Sequence, residues 1–320
     1  METLPMSMDR DSLIQLLSEI DTVLLDCDGV LWQGAQGMDV IPRSREALER
    51  LKQMGKRIFL ITNNSTKTQD HYFAKCRQLG FNVEKDHILS SPYIAAQYLK
   101  EIGFSKKAYI VGSPGLAEEI QKVGITTVGT GPETIEGPLY NAVVEGKLGL
   151  DPGVGAVVVG FDRDFNYDKL LRATCYLKDP ECLFIATNTD EKYIVQGTNY
   201  HLPAAGVIVS AIEAASERPA RVMGKPSLNI FHMLQARFNL QPEKTLLFGD
   251  TLHTDILFGN ESGMWSILVL SGVSTLMEAR ELPQNPQKQK QLPLFYLQSL
   301  GDILTLMDEQ VNGGVNEQQN

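Results

Sequence analysis

Short apolar runs alternate with stretches of helical periodicity along most of the chain. Residues 22–26, 58–61, 88–89, 107–111, 125–128, 154–160, 183–187, 245–248 and 265–270 are apolar runs of strand length. Between them the spacing predicts helices. One opens at Pro42, carries Ala47, Leu48, Leu51 and Met54 on one face, and is ended by Gly55. Others run from the polar cluster at 62–65 toward Leu79, and over 94–102, 114–123, 167–178, 207–217, about 227–234 and 299–307. A lead-in helix carries Leu13, Ile14, Leu16 and Leu17. Strands alternating with helices of this length predict an α/β fold, a Rossmann-like doubly wound parallel sheet. The pattern restarts near Phe104, where a second α/β block begins that exits at 218–221. The expected organisation is therefore a core built from 1–103 and 219–310, an inserted α/β domain at 104–218, and a disordered polar tail at 311–320.

With 320 residues, 43% hydrophobic and 21% charged, the composition is that of an ordinary globular chain with ample core. A net charge of −10 argues against nucleic acid or an anionic membrane surface as a partner. An acidic protein that handles anionic substrates must gather positive charge locally, from a metal ion or a few placed lysines. The four cysteines (Cys27, Cys76, Cys175, Cys182) form no C-x-x-C pair, and the start has no basic and apolar leader pattern. No apolar run reaches membrane-spanning length, so a reduced, cytoplasmic setting is expected.

Three apolar strands end on polar groups suited to one task. The first ends in Asp26-Cys27-Asp28-Gly29, the second in Thr62-Asn63-Asn64, and a later one in Gly249-Asp250. In a doubly wound parallel sheet those carboxyl ends share one edge, where ligands bind. Two carboxylates converging there are costly unless a cation or proton lies between them. In-line phosphoryl transfer fits each residue type. Asp26 serves as nucleophile, and Asp28 protonates the leaving alkoxide and then activates water. Asp26, Asp250 and the backbone carbonyl of Asp28 offer the hard oxygens that Mg²⁺ prefers. Thr62 and the amides after it face the phosphoryl oxygens, Lys225 adds the compensating point charge, and Asp255 orients Lys225 or a metal-bound water. Cys27, between two carboxylates, is expected to be a buried filler, and Trp32 to pack beneath the entrance loop.

The set Asp26-x-Asp28-Gly29, Thr62-Asn63-Asn64, Gly224-Lys225-Pro226 and Gly249-Asp250-Thr251 through Asp255 resembles, in order, the four motifs of the haloacid dehalogenase superfamily of phosphatases. The inserted block is similar to that superfamily's C2a cap. Asp26 to Trp32, Thr62 to Ser65, Asp179-Pro180-Glu181-Cys182-Leu183 and Leu270-Ser271-Gly272-Val273-Ser274 resemble its phosphoglycolate and pyridoxal phosphate phosphatase branch. The resemblance implies a Mg²⁺-dependent phosphomonoesterase acting on a small phosphorylated metabolite, and a homodimer joined through the caps.

By the same resemblance the loop after the strand at 183–187 selects the leaving group, with Asn188 and Asp190 as substrate-binding residues. That loop is closer to phosphoglycolate phosphatases and lacks the histidine of pyridoxal phosphatases. Phosphoglycolate or glycerol phosphate is thus the expected substrate, with pyridoxal 5′-phosphate as the alternative. A phosphoprotein phosphatase or phosphotransferase is disfavoured by the size of the insertion, since a covered cleft admits small leaving groups best. A non-catalytic scaffold has no need for Asp26, Asp28, Thr62, Lys225 and Asp250 together.

Overall fold

The computed structural model describes residues 4–34, 37–194 and 198–308, so the expected tail at 311–320 lies outside the described residues. The chain opens with β1 (Met6–Ser7) and α1 (Arg10–Glu19), capped by Asp9 through the Ser12 N–H. Then come β2 (Thr22–Asp26), β3 (Trp32–Gln33), β4 (Asp39–Val40), α2 (Ser44–Gln53), β5 (Arg57–Thr62) and α3 (Gln69–Leu79). The next elements are β6 (Ile88–Ser90), α4 (Ser91–Glu101), β7 (Lys107–Val111), α5 (Pro114–Lys122), β8 (Thr127–Val128) and α6 (Leu139–Val144). They are followed by β9 (Val154–Val159), α7 (Tyr167–Tyr176), β10 (Leu183–Ala186), β11 (Lys192–Ile194), β12 (His201–Pro203) and α8 (Ala205–Ser216). The last stretch holds β13 (Arg221–Val222), α9 (Leu228–Phe238), β14 (Thr245–Gly249), α10 (Leu257–Glu261), β15 (Trp265–Val269), α11 (Leu276–Glu281), β16 (Phe295–Leu297) and α12 (Asp302–Asp308). A π-helical turn, Leu252–Ile256, precedes α10.

The chain divides into two compact units: Met1–Ile61, Lys75–His87 and Leu234–Asn320 form one, Thr62–Ala74 and Ile88–Met233 the other. In the first, strands follow the order β1-β16-β15-β14-β2-β5, every pair parallel. β2 and β14 are buried along their whole length, which is why they read as unbroken apolar runs rather than as alternation. In the second unit β13-β10-β9-β7-β8 form a wholly parallel sheet. Its core gathers Tyr109, Val157, Phe184, Ile208 and Ile212. The fold is therefore the expected α/β class with parallel sheets.

Several elements depart from the sequence pattern. α2 starts at Ser44, not at Pro42, because Arg43 takes a left-handed conformation (φ 61°) that turns the chain into the helix. Residues 192–194 and 201–203, where the apolar pattern predicts no strand, pair antiparallel. β1, β16 and α6 were not foreseen. Each is too short for periodicity to register.

Candidate active site

In the first unit the register of three parallel strands sets the site. Leu25 lies opposite Phe248 and Asp26 opposite Ile61, so β14, β2 and β5 end at one edge of the sheet. Asp26 closes β2, Thr62 closes β5, and Asp250 follows directly after β14. Asp26, Asp250 and Asp255 each present a carboxylate oxygen, all within 4.8 Å of one another. They are 7%, 3% and 1% exposed, so water does little to screen them from each other. A divalent cation relieves that repulsion, and an all-oxygen donor set suits a hard ion rather than one that seeks thiolate or imidazole. These residues thus fit the cation that the sequence predicts.

Asp250 is held from every side. Its Oδ1 accepts from Thr251 Oγ1 (3.0 Å) and its Oδ2 from the Val273 N–H (2.8 Å). A methyl group at Gly29 (φ 90°) or at Gly272 would overlap its carboxylate. Only glycine lets these two backbones approach so closely. Asp255 Oδ2 accepts from the N–H groups of Asp250 (3.2 Å) and Thr251 (3.1 Å), which ties the π-helical turn back to the strand end. The sequence reading places Asp255 outside the ligand set, yet in the structure it is a member of the cluster.

Asp28 is not part of that carboxylate cluster. Its Oδ1 accepts a hydrogen bond from Trp32 Nε1 at 2.9 Å. The tight turn that makes this contact is closed by Gly29 N–H to Trp32 O (2.8 Å) and Leu31 N–H to Cys27 O (2.9 Å). Cys27 is buried, as expected of a filler, and Trp32 is wholly buried too, with more than packing to do.

The remaining predicted residues belong to the second unit. Thr62 is buried, and its Oγ1 accepts from the Asn64 N–H (3.1 Å). Asn64 Oδ1 accepts from both the N–H and the hydroxyl of Thr66, an Asx-type turn, so its side-chain oxygen is spent locally. Asn63 is a hub. Its Oδ1 accepts from the Lys225 N–H (2.8 Å), while its Nδ2 donates to Lys225 O (2.9 Å) and to both oxygens of Asp190 (3.2 Å each). An amide has two hydrogens, and both are committed here. The Asn63 side chain is therefore a brace between two loops, a task separate from that of the backbone N–H groups after Thr62.

Asn188 completes the brace. Its Nδ2 donates to Asn63 O (2.7 Å) and its Oδ1 accepts from the Asp190 N–H (3.1 Å). The Lys225 loop hangs on the end of β10, through Met223 N–H to Ala186 O and Gly224 N–H to Thr187 O. Gly224 leaves no room for a side chain, since a methyl there would lie 2.6 Å from both Asn63 Oδ1 and Thr187 O. Lys225 itself is 2% exposed, and an ammonium group is buried to that degree only where it has work to do or a counter-charge.

Buried carboxylates gathered at the carboxyl ends of parallel strands suit phosphoryl transfer around a hard cation. Residues 23–126 match the model of the haloacid dehalogenase-like hydrolases, and residues 222–292 the HAD-hydrolase-like model. The chain belongs to the haloacid dehalogenase-like hydrolases and is a phosphatase of that family. It is 40% identical to the glycerol-3-phosphate phosphatase of Gallus gallus over 92% of this chain and 94% of that one. With phosphoglycolate phosphatase 2 of Arabidopsis thaliana it shares 37% identity, over 95% of this chain and 99% of the other. Among solved structures, the 4-nitrophenylphosphatase of Thermotoga maritima aligns with a TM-score of 0.72 and 27% identity, covering 91% of this chain and 99% of that one. A glycerol phosphate phosphatase of Mycobacterium tuberculosis in complex with magnesium aligns with a TM-score of 0.69 and 25% identity, over 90% and 77%. Among the described residues no helix is long and apolar enough to cross a membrane.

Proposed function

We propose that the protein is a Mg²⁺-dependent phosphomonoesterase of small metabolites, with glycerol phosphate or phosphoglycolate as substrate. The observation that carries this reading is the buried triplet Asp26, Asp250 and Asp255, whose oxygens lie within 4.8 Å of one another at the carboxyl ends of parallel strands. The relatives named glycerol-3-phosphate and phosphoglycolate phosphatase, at 40% and 37% identity, support the substrate class.

In this reading Asp26 attacks phosphorus in line and carries the phosphoryl group, which splits hydrolysis into two easier steps. Asp28 gives a proton to the departing alkoxide and takes one from the water that follows. Asp26, Asp250 and the carbonyl of Asp28 hold Mg²⁺, with Asp255 fixing the turn beside them. When bound, the ion neutralises charge on the carboxylates and on the transferring group. Thr62 and the N–H groups of Asn63 and Asn64 serve the phosphoryl oxygens, and Lys225 balances their charge.

The block at 104–218 acts as a cap whose loop at 188–193 selects the leaving group. Asn188 and Asp190 do so by setting the loop through Asn63, and Tyr193, half exposed, is its accessible aromatic side chain. Two copies join through this domain, and the four free cysteines favour a reducing, cytoplasmic setting.

The deciding experiment compares kcat/KM with Mg²⁺ for glycerol 3-phosphate, 2-phosphoglycolate and pyridoxal 5′-phosphate. Preference for either of the first two supports the reading. Preference for pyridoxal 5′-phosphate overturns it. Light scattering of the purified chain checks the dimer, and a monomer at micromolar concentration would remove that part of the proposal.

A further inference from the structure

Trp32 is wholly buried, yet its indole N–H is aimed at Asp28. The ring is clamped. Phe81 packs edge-on against it, with ring centroids 5.6 Å apart, and the Lys75 ammonium lies 4.2 Å from its centroid. Gly37 (φ 61°) backs onto the same group, and a methyl there would come within 2.7 Å of Lys75 Nζ and 3.4 Å of Asp28 Oδ1. A cation on the indole face draws electron density from the ring and strengthens its N–H as a donor.

An indole nitrogen can only donate, so the oxygen facing it must accept. We infer that Trp32, with Lys75 on its ring, is a positioning residue that fixes Asp28 Oδ1 as the permanent acceptor and assigns the transferable proton to Oδ2. This rests on the reading of Asp28 as the acid and base. In the first step the Oδ2–H bond breaks as the phosphorus–oxygen ester bond breaks, and the proton passes to the leaving alkoxide while Asp26 gains the phosphoryl group. In the second step water attacks the aspartyl-phosphate and gives a proton to Oδ2, the bond from phosphorus to Asp26 breaks, and phosphate leaves, which restores both aspartates to the starting state.

The test uses leaving groups of different need. An alkoxide leaves poorly without a proton, whereas 4-nitrophenolate leaves well without one. The ratio kcat/KM reports phosphoryl transfer to Asp26, so Trp32→Phe should lower it about tenfold or more for glycerol 3-phosphate. For 4-nitrophenyl phosphate the loss should stay below about threefold, because acid catalysis matters little there. A purely structural role would lower both alike, and that result overturns the inference, as does no loss on either.

Asp28→Asn separates the two claims. If it discriminates between the substrates and Trp32→Phe does not, the inference alone fails. If it lowers both alike, the acid reading fails and takes the inference with it. Should Trp32→Phe not fold, 3-benzothienylalanine at position 32 keeps the ring shape and replaces only the donor nitrogen by sulfur, and the same two outcomes are read from it.

Discussion

Gly272 shows how much of this site depends on the absence of a side chain. A methyl there would occupy the place of the Asp250 carboxylate, so Gly272→Ala must push that ligand off its position. The expected outcome is a chain that folds but needs about 10- to 100-fold more Mg²⁺ for half-maximal activity, the usual scale for a disturbed ligand support. A Mg²⁺ titration of activity checks this. The same scale shows what could and could not be read beforehand. Asp26, Asp28, Thr62, Lys225 and Asp250 are legible as candidates because strand ends and motif spacing announce them. The turn of Asp28 toward Trp32 and the committed amide of Asn63 are not. Both are set by side-chain rotamers and by partners far along the chain, as with Asn63 and Lys225, 162 positions apart.

Elements divide in the same way. Long buried strands and amphipathic helices were readable, since a fully buried parallel strand is an unbroken apolar run. The two-residue β1 and three-residue β16 were not, because they exist through pairing, β16 with β15 and β1 with β16, and not through their own propensity.

Two tests belong to this scale. His87, just before β6, packs on Phe59 (centroids 4.2 Å) and hydrogen-bonds Ile58 O at 3.0 Å. Burial pulls its pKa below the ordinary 6.5, against a smaller upward pull from that carbonyl and Glu84. The unfolded chain therefore takes up a proton at a higher pH than the folded one. Stability should fall as pH drops through 6.5 and stop falling below the depressed folded value. Urea midpoints between pH 7.5 and 5 should show a slope that is shallower in His87→Phe. The second test concerns Lys169 of α7, which meets Asp162 at 2.5 Å with both side chains buried. Lys169→Met strands the carboxylate and should cost about 3–5 kcal/mol in urea unfolding. Adding Asp162→Asn removes the stranded charge, and part of the loss should return.

For the whole molecule, the sequence points to a core interrupted by one insertion, and the structure groups the chain into two units. Residues 62–74, 88–103 and 219–233 of the expected core fall with the inserted block. Hydrogen bonds account for 62–74: Ser91 Oγ and Asn188 Nδ2 both donate to Asn63 O, Ser113 Oγ donates to Ser65 O, and Phe161 N–H donates to Ser65 Oγ. No local pattern in 62–74 reveals these distant partners. The division of labour that follows is simple. The first unit holds the acidic cluster, and the second holds the lysine and the loop expected to choose the substrate.

The central claim is that Asp26 is the nucleophile of a Mg²⁺-dependent phosphatase. Its most direct test is phosphate release from glycerol 3-phosphate by the wild type and Asp26→Asn, each with Mg²⁺ and with excess chelator. Turnover is expected from the wild type with Mg²⁺ alone, and at least about 10³-fold less from Asp26→Asn at an unchanged unfolding midpoint. Substantial Mg²⁺-dependent release by Asp26→Asn would contradict that claim.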